Sequence, residues 1–175
     1  RTSTRVAYAP HMRTTVIRSV LVGLSLLVAS CGGSDIIAEP LIDSTVVGSF
    51  DGTEFIPVNG YATVATTNTG DRSIIVLGTG GIGCGSESGL PPRGYTVATQ
   101  IPALAVGTYS NVEVQLYSNV DRFREANDDS GTVTISSVTD DSVVGEISFE
   151  YTDTTFAAPR VYTVTGTFEV AHCAY

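Results

Sequence analysis

The chain has 175 residues with 18 Gly, 8 Tyr, 3 Cys and no Trp, a length that suits one domain with a leader. Its nine basic residues are all Arg, and four of them (Arg1, Arg5, Arg13, Arg18) precede Cys31, while all 18 acids follow it. The part after Cys31 therefore has a formal charge of 5 − 18 = −13, which repels phosphate backbones and excludes nucleic acid as an expected partner.

Residues 12–31 read MRTTVIRSVLVGLSLLVASC. Arg13 and Arg18 make a positive start, residues 19–27 a short apolar core, and Ala29 and Ser30 a small-residue step before Cys31. That is the layout of a secretory signal over residues 12–30. The apolar run is shorter than the roughly 20 residues a spanning helix needs, and no second run of that length follows. Residues 1–11 are expected to be a non-native upstream extension, with Met12 as the start. Residues 31–43, opening on Gly32-Gly33-Ser34-Asp35, read as a flexible tether that reaches at most roughly 40 Å when extended.

The domain is expected over residues 44–175, where apolar residues alternate at period two between turn signals. Predicted strands cover 44–50, 53–58, 61–67, 73–77, 95–101, 109–118, 132–138, 143–151 and 161–171. Asp51-Gly52 is a hairpin signal, and Pro57 marks an edge or a strand end. Turns are expected at 68–71 and 139–142. A Gly-rich loop spans 78–94, and a polar loop with a helical turn at 122–127 spans 119–131. In the sixth strand Val112, Val114 and Leu116 share a face. In the eighth Val143, Ile147, Phe149 and Tyr151 do so. In the ninth Tyr162, Val164, Phe168 and Val170 point inward, with Thr163, Thr165 and Glu169 outward. The pattern predicts an all-β domain: an antiparallel β-sandwich of about nine strands, with a small lipocalin-like β-barrel as the alternative. A domain of this size buries enough surface to stand alone.

The stretch Leu27-Val28-Ala29-Ser30-Cys31 resembles the bacterial lipobox. The resemblance implies that the signal is cut before Cys31 and that the Cys31 thiol and new amine are acylated. Each buried CH₂ contributes about 0.8 kcal/mol and one chain anchors only marginally, so two or three anchor stably. The resemblance implies a membrane partner through the lipid anchor and residence in the bacterial cell envelope. By resemblance to enterobacterial sorting, Gly32 in place of Asp points to the outer membrane. The segments GTVTISSVTDDSVVGEISFEYTD, YTVTGTFEV and SFDGTEFIP resemble small bacterial lipoproteins with an uncharacterised β-rich domain, which implies a fold class and no activity.

With Cys31 assigned to lipid, Cys84 and Cys173 remain as a pair in an oxidising compartment, and a disulfide between them is expected. Free thiols or a redox pair are the alternatives, and they lack CxxC spacing and a basic neighbour. Other candidate chemistry is thin. Gly78-Thr79-Gly80-Gly81-Ile82-Gly83 matches GxGxxG after a strand, but Pro91-Pro92 stand where the helix that binds pyrophosphate is needed. Gly85-Ser86-Glu87-Ser88-Gly89 puts Glu at the nucleophile position of GxSxG. His172 is the only His after Cys31, too little for zinc and the one residue a Ser-His-Asp triad would have to use. Asp128-Asp129 and Asp140-Asp141 lack calcium-loop spacing. Tyr109, Tyr117 and Tyr151 are candidate exposed contacts for sugars or proteins, or half-buried rim residues.

The reading is a non-catalytic, lipid-anchored binding or structural module with no expected cofactor, metal or catalytic residue. Its contacts with an envelope protein or glycan are expected on loops 78–94 and 119–131. The alternatives are a lipocalin-like carrier with an apolar ligand in a barrel, and an envelope hydrolase with two carboxylates across a cleft.

Overall fold

The computed structural model describes residues 40–41, 43–67, 70–84, 94–118 and 123–173. The signal at 12–30, Cys31 and the tether up to residue 39 lie outside the described residues. What is described is all-β. The strands are β1 (Asp43–Ser44), β2 (Val47–Phe50), β3 (Thr53–Phe55), β4 (Asn59–Thr67), β5 (Gly70–Gly78), β6 (Tyr95–Ile101), β7 (Gly107–Ser118), β8 (Phe123–Val138), β9 (Ser142–Asp153) and β10 (Arg160–Cys173). No helix among the described residues is long and apolar enough to cross a membrane.

From β4 to β10 every strand pairs antiparallel with the next in sequence. β10 then pairs with β4 in parallel, Ala171 opposite Tyr61, His172 opposite Ala62 and Cys173 opposite Thr63, which closes a seven-stranded barrel. The barrel is the alternative of the two expected architectures, and it replaces the sandwich. The reason lies in β10, whose two edges are both occupied. One edge takes β9 along its length; the other takes β2, β1 and β4 in turn. A sheet with no free edge at its first and last long strands has closed on itself. Bulges supply the curvature: β7 and β8 shift register between Ser110 and Val112, between Val112 and Val114, and between Leu116 and Tyr117.

The period-two reading fixes what fills the barrel. Val112, Val114, Leu116, Val143, Ile147, Phe149, Tyr162, Val164, Phe168 and Val170 are all buried in one core with Ile75, Leu77, Val97 and Ile135. The Phe168 ring lies where a side chain on β9 would otherwise stand: a Cβ on Gly145 would come within 2.7 Å of it. The β2–β3 hairpin turns at Asp51 (φ 50°) and Gly52 (φ 85°), the left-handed pair of a type I′ turn. It carries Phe50 and Phe55 into the same core. Phe50 packs 5.1 Å from Phe55, 4.9 Å from Tyr95 and 6.5 Å from Tyr162, and Tyr162 continues to Tyr151 at 6.2 Å. Tyr151 and Tyr109 are thus half-buried against the core, the rim alternative of the two readings given for them.

The eighth strand departs from expectation. β8 begins at Phe123, so residues 123–131 are strand where a loop with a helical turn at 122–127 is predicted. This half of β8 pairs with β7, while the ladder to β9 starts at Thr132, with Ser130 Oγ donating to Glu150 O at 3.2 Å just before it. With solvent on one side and bulges in the ladder, its sequence (Asn127, Asp128, Asp129, Ser130) carries no apolar alternation to read.

Candidate functional site

Two features stand out on the barrel wall: a clasp at the closing seam and a cleft beside β7.

The clasp is built from the Gly-rich segment after β5. Cys84 and Cys173 form a disulfide, with Cα atoms 5.4 Å apart and 89 residues between them in sequence. Cys173 is the last residue of the β4–β10 pairing, and its carbonyl accepts a hydrogen bond from Thr63 Oγ1 at 3.0 Å. Between β5 and Cys84 the chain returns over the outer face. Ile82 is buried there with Tyr61, Val76 and Cys173 in a small cluster outside the barrel. Gly78 makes room for this, since a Cβ at that position would meet Ile82 Cδ1 at 3.0 Å. The GxGxxG stretch is therefore a packing segment, and residues 79–84 open no helix for a pyrophosphate. His172 faces the outside of the same seam. Its Nδ1 donates to Thr139 O at 2.6 Å, and its backbone N–H donates to Asp141 O at 2.9 Å, so it ties the β8–β9 turn to β10.

The cleft holds about 590 Å³ and is lined by Arg72, Gln100, Ile101, Pro102, Thr108, Tyr109, Ser110, Asn111, Val112, Glu113 and Asp129. Its side chains come from β5, β6, β7 and β8, with Pro102 from the link after β6. The β6–β7 register sets Gln100 opposite Glu113, and outward-facing Arg72 donates from a guanidinium nitrogen to Gln100 Oε1 at 2.8 Å. Glu113 is held from its own strand. Gln115 Nε2 donates to it at 2.7 Å, and Tyr117 OH donates to Gln115 Oε1. Ile101 and Val112 are core residues, so the floor is apolar, while the rim is amide, hydroxyl, guanidinium and carboxylate. Asn111 takes a left-handed conformation (φ 56°) at the bulge that carries this rim. An apolar floor with a few converging polar groups is the general form of a binding pocket.

The expected contact loops contribute little to this cleft. Residues 85–93 and 119–122 lie outside the described residues, and of the 119–131 segment only Asp129 lines the cleft. Sequence reading missed Arg72, Gln100 and Glu113, because only the register of three neighbouring strands brings them together. Among the described residues no three His, Cys, Asp or Glu side chains cluster to hold a metal ion. Asp128 instead bonds within its own strand, its Oδ1 accepting from Ser130 N–H at 2.8 Å. At the end of β9 Asp153 likewise bonds Thr155, accepting from its hydroxyl at 2.6 Å and its N–H at 2.8 Å. These bonds, the hydroxyl first, hold the Asp153 carboxyl below its ordinary value; slight desolvation opposes them and Arg160 adds to them.

Comparison with protein-family models, with curated proteins and with solved structures finds no match to the chain.

Proposed function

We propose that the chain is a lipoprotein of the bacterial cell envelope, held at Cys31 by lipid, and that its barrel is a non-catalytic binding module. The observation that carries the module reading is the contrast between the two sides of the barrel wall. The interior is packed with Phe50, Phe55, Phe149, Tyr162 and Phe168, and the recess open to a partner lies outside, beside β7. Small barrels have interiors just wide enough for side chains or for one small ligand. Large rings in that space favour a module over a lipocalin-like carrier. The basic, apolar and small-residue order of 12–31 supports the anchor, and Gly32 supports the outer membrane.

A hydrolase is the second reading, favoured by the presence of Glu113 and Asp129 on one cleft. Glu113 is half-exposed and already bonded to Gln115, and Asp129 is exposed, unlike the buried carboxyl that serves as a general acid.

The anchor is tested by expressing the full chain and a Cys31→Ser variant in a bacterium fed labelled palmitate. The native chain should carry label and sediment with membranes, and the variant should do neither. Equal labelling, or an unchanged membrane fraction for the variant, would overturn the anchor.

A further inference from the structure

β7 outruns β6. Their pairing ends at Gln100 opposite Glu113, yet β7 begins at Gly107. Residues 107–112 still pair with β8 on their other side, from Gly107 opposite Ile135 to Val112 opposite Gly131. Among the described residues, no strand pairs with the remaining edge of 107–112, and the cleft lies along it. Proteins blunt such edges with Lys, with Pro or with a covering segment. This one reads Gly107, Thr108, Tyr109, Ser110, Asn111 and Val112, with no charge and no Pro, and Thr108, Tyr109 and Val112 favour a strand. The bulge at Asn111 limits the usable ladder to the first few of these residues.

The surroundings indicate what would pair there. Glu113 and Asp129 line the cleft, and Arg72, the cation among its described lining residues, already donates to Gln100. The rest of the domain reinforces a negative field, at −13 after Cys31. Flanking the edge are Pro102, Val106 (69% exposed) and the Tyr109 ring, which is fixed by a hydrogen bond from its hydroxyl to Ala105 O at 3.0 Å. An added strand presents side chains alternately to two faces, so polar charge and apolar body can be met by neighbouring residues.

We propose that this cleft binds an extended basic peptide segment of a partner protein, which adds a short strand to the β7 edge and sets Lys or Arg against Glu113 and Asp129. The inference rests on the binding-module reading and gives that module its partner chemistry.

The probe is a blocked eight-residue peptide of alternating Lys and Thr, titrated by fluorescence anisotropy into the full chain in detergent. It should bind. Glu113→Gln and Asp129→Asn should each weaken binding by up to about fivefold, the range of an exposed ion pair. The same peptide N-methylated at alternate amides keeps its charge and cannot form the ladder, so it should lose binding. An alternating Glu and Thr peptide should not bind. Equal binding of the methylated peptide would overturn edge pairing and leave mere attraction to an acidic protein. Unchanged affinity in both carboxylate variants would overturn the site. No peptide binding, with retention of the chain on purified peptidoglycan, would overturn the proposal in favour of a glycan. Cys31→Ser separates the two readings. Peptide binding with failed acylation removes only the anchor, and acylation with failed peptide binding removes only the cleft.

Discussion

Along one edge, β10 runs beside β9 from Arg160 opposite Asp153 to Ala171 opposite Ser142, and the two are joined by residues 154–159. Along its other edge it meets three partners in turn: β2 at 162–165, β1 at 168–169 and β4 at 171–173. The first edge is a hairpin whose ends are close in the chain. The second joins residues 110 apart, as in the bond from Thr63 to Cys173. Closing a long loop costs more entropy than closing a hairpin, and here only a few pairs offset it. The disulfide stands at the weaker edge, and the seam is where a cross-link constrains the chain most.

Removing the clasp should have the largest effect. The double variant Cys84→Ala, Cys173→Ala, which frees the 89-residue loop, should lose about 4–5 kcal/mol in the chain-entropy account, measured by urea unfolding. Hydrogen exchange gives the sharper reading. Amides of 61–63 and 171–173 should exchange much faster, while those of β9 and the first half of β10 should track global stability alone. Uniform acceleration along both edges would mean that the seam is no weaker than the hairpin.

Phe168→Ala is the converse, a loss that should not distinguish the edges. Phe168 is 1% exposed, opposite Gly145 on β9 and opposite Ser44 on β1, with its ring in the common core. The cavity left over Gly145 should cost about 3–5 kcal/mol, read again from the urea midpoint. Protection should fall together at the seam and at the hairpin, because the ring supports the interior that both enclose. A loss confined to one edge would contradict a single shared core.

The same contrast explains what could be read from the chain. β9 and β10 were legible because Val143, Ile147, Phe149, Tyr162, Val164, Phe168 and Val170 repeat at period two, and the Asp51-Gly52 turn was legible from its own chemistry. The Cys84–Cys173 pair followed from the count of cysteines once Cys31 was set aside. Barrel closure was legible only as the alternative to a sandwich, since the meeting of Tyr61 with Ala171 depends on twist and shear accumulated over intervening strands. The cleft was hidden for a related reason. Arg72, Gln100, Glu113 and Asp129 sit on four strands at outward positions, where any polar residue satisfies the pattern. The polar half of β8 reads as loop because Ala126 is followed by Asn127, Asp128, Asp129 and Ser130, with no alternating large apolar side chains to mark a strand.

The smallest effect belongs to the loop that joins β9 to β10. Asp153 Oδ1 accepts from the Thr155 hydroxyl and N–H, and Arg160 stacks 3.8 Å over the Phe156 ring and reaches Asp51 at 3.5 Å. The Thr155 hydroxyl is the first cause of the lowered Asp153 pKa, followed by the Thr155 N–H. A carboxylate whose folded value lies below its unfolded value contributes stability above the unfolded value and loses it as pH falls through the folded one. Acid should therefore release the Thr155 turn and fray the hairpin from its loop end, with little change in global unfolding because the group is exposed. The Thr155 amide resonance, followed from about pH 6 to pH 2, should titrate with a midpoint below that of an ordinary Asp. In Asp153→Asn the amide oxygen can still accept, so that titration should vanish while the turn persists at neutral pH. A Thr155 amide that titrates in the variant as it does in the native chain would assign the pH response to another carboxylate. The hairpin edge of β10 would then have no acid-labile point of its own.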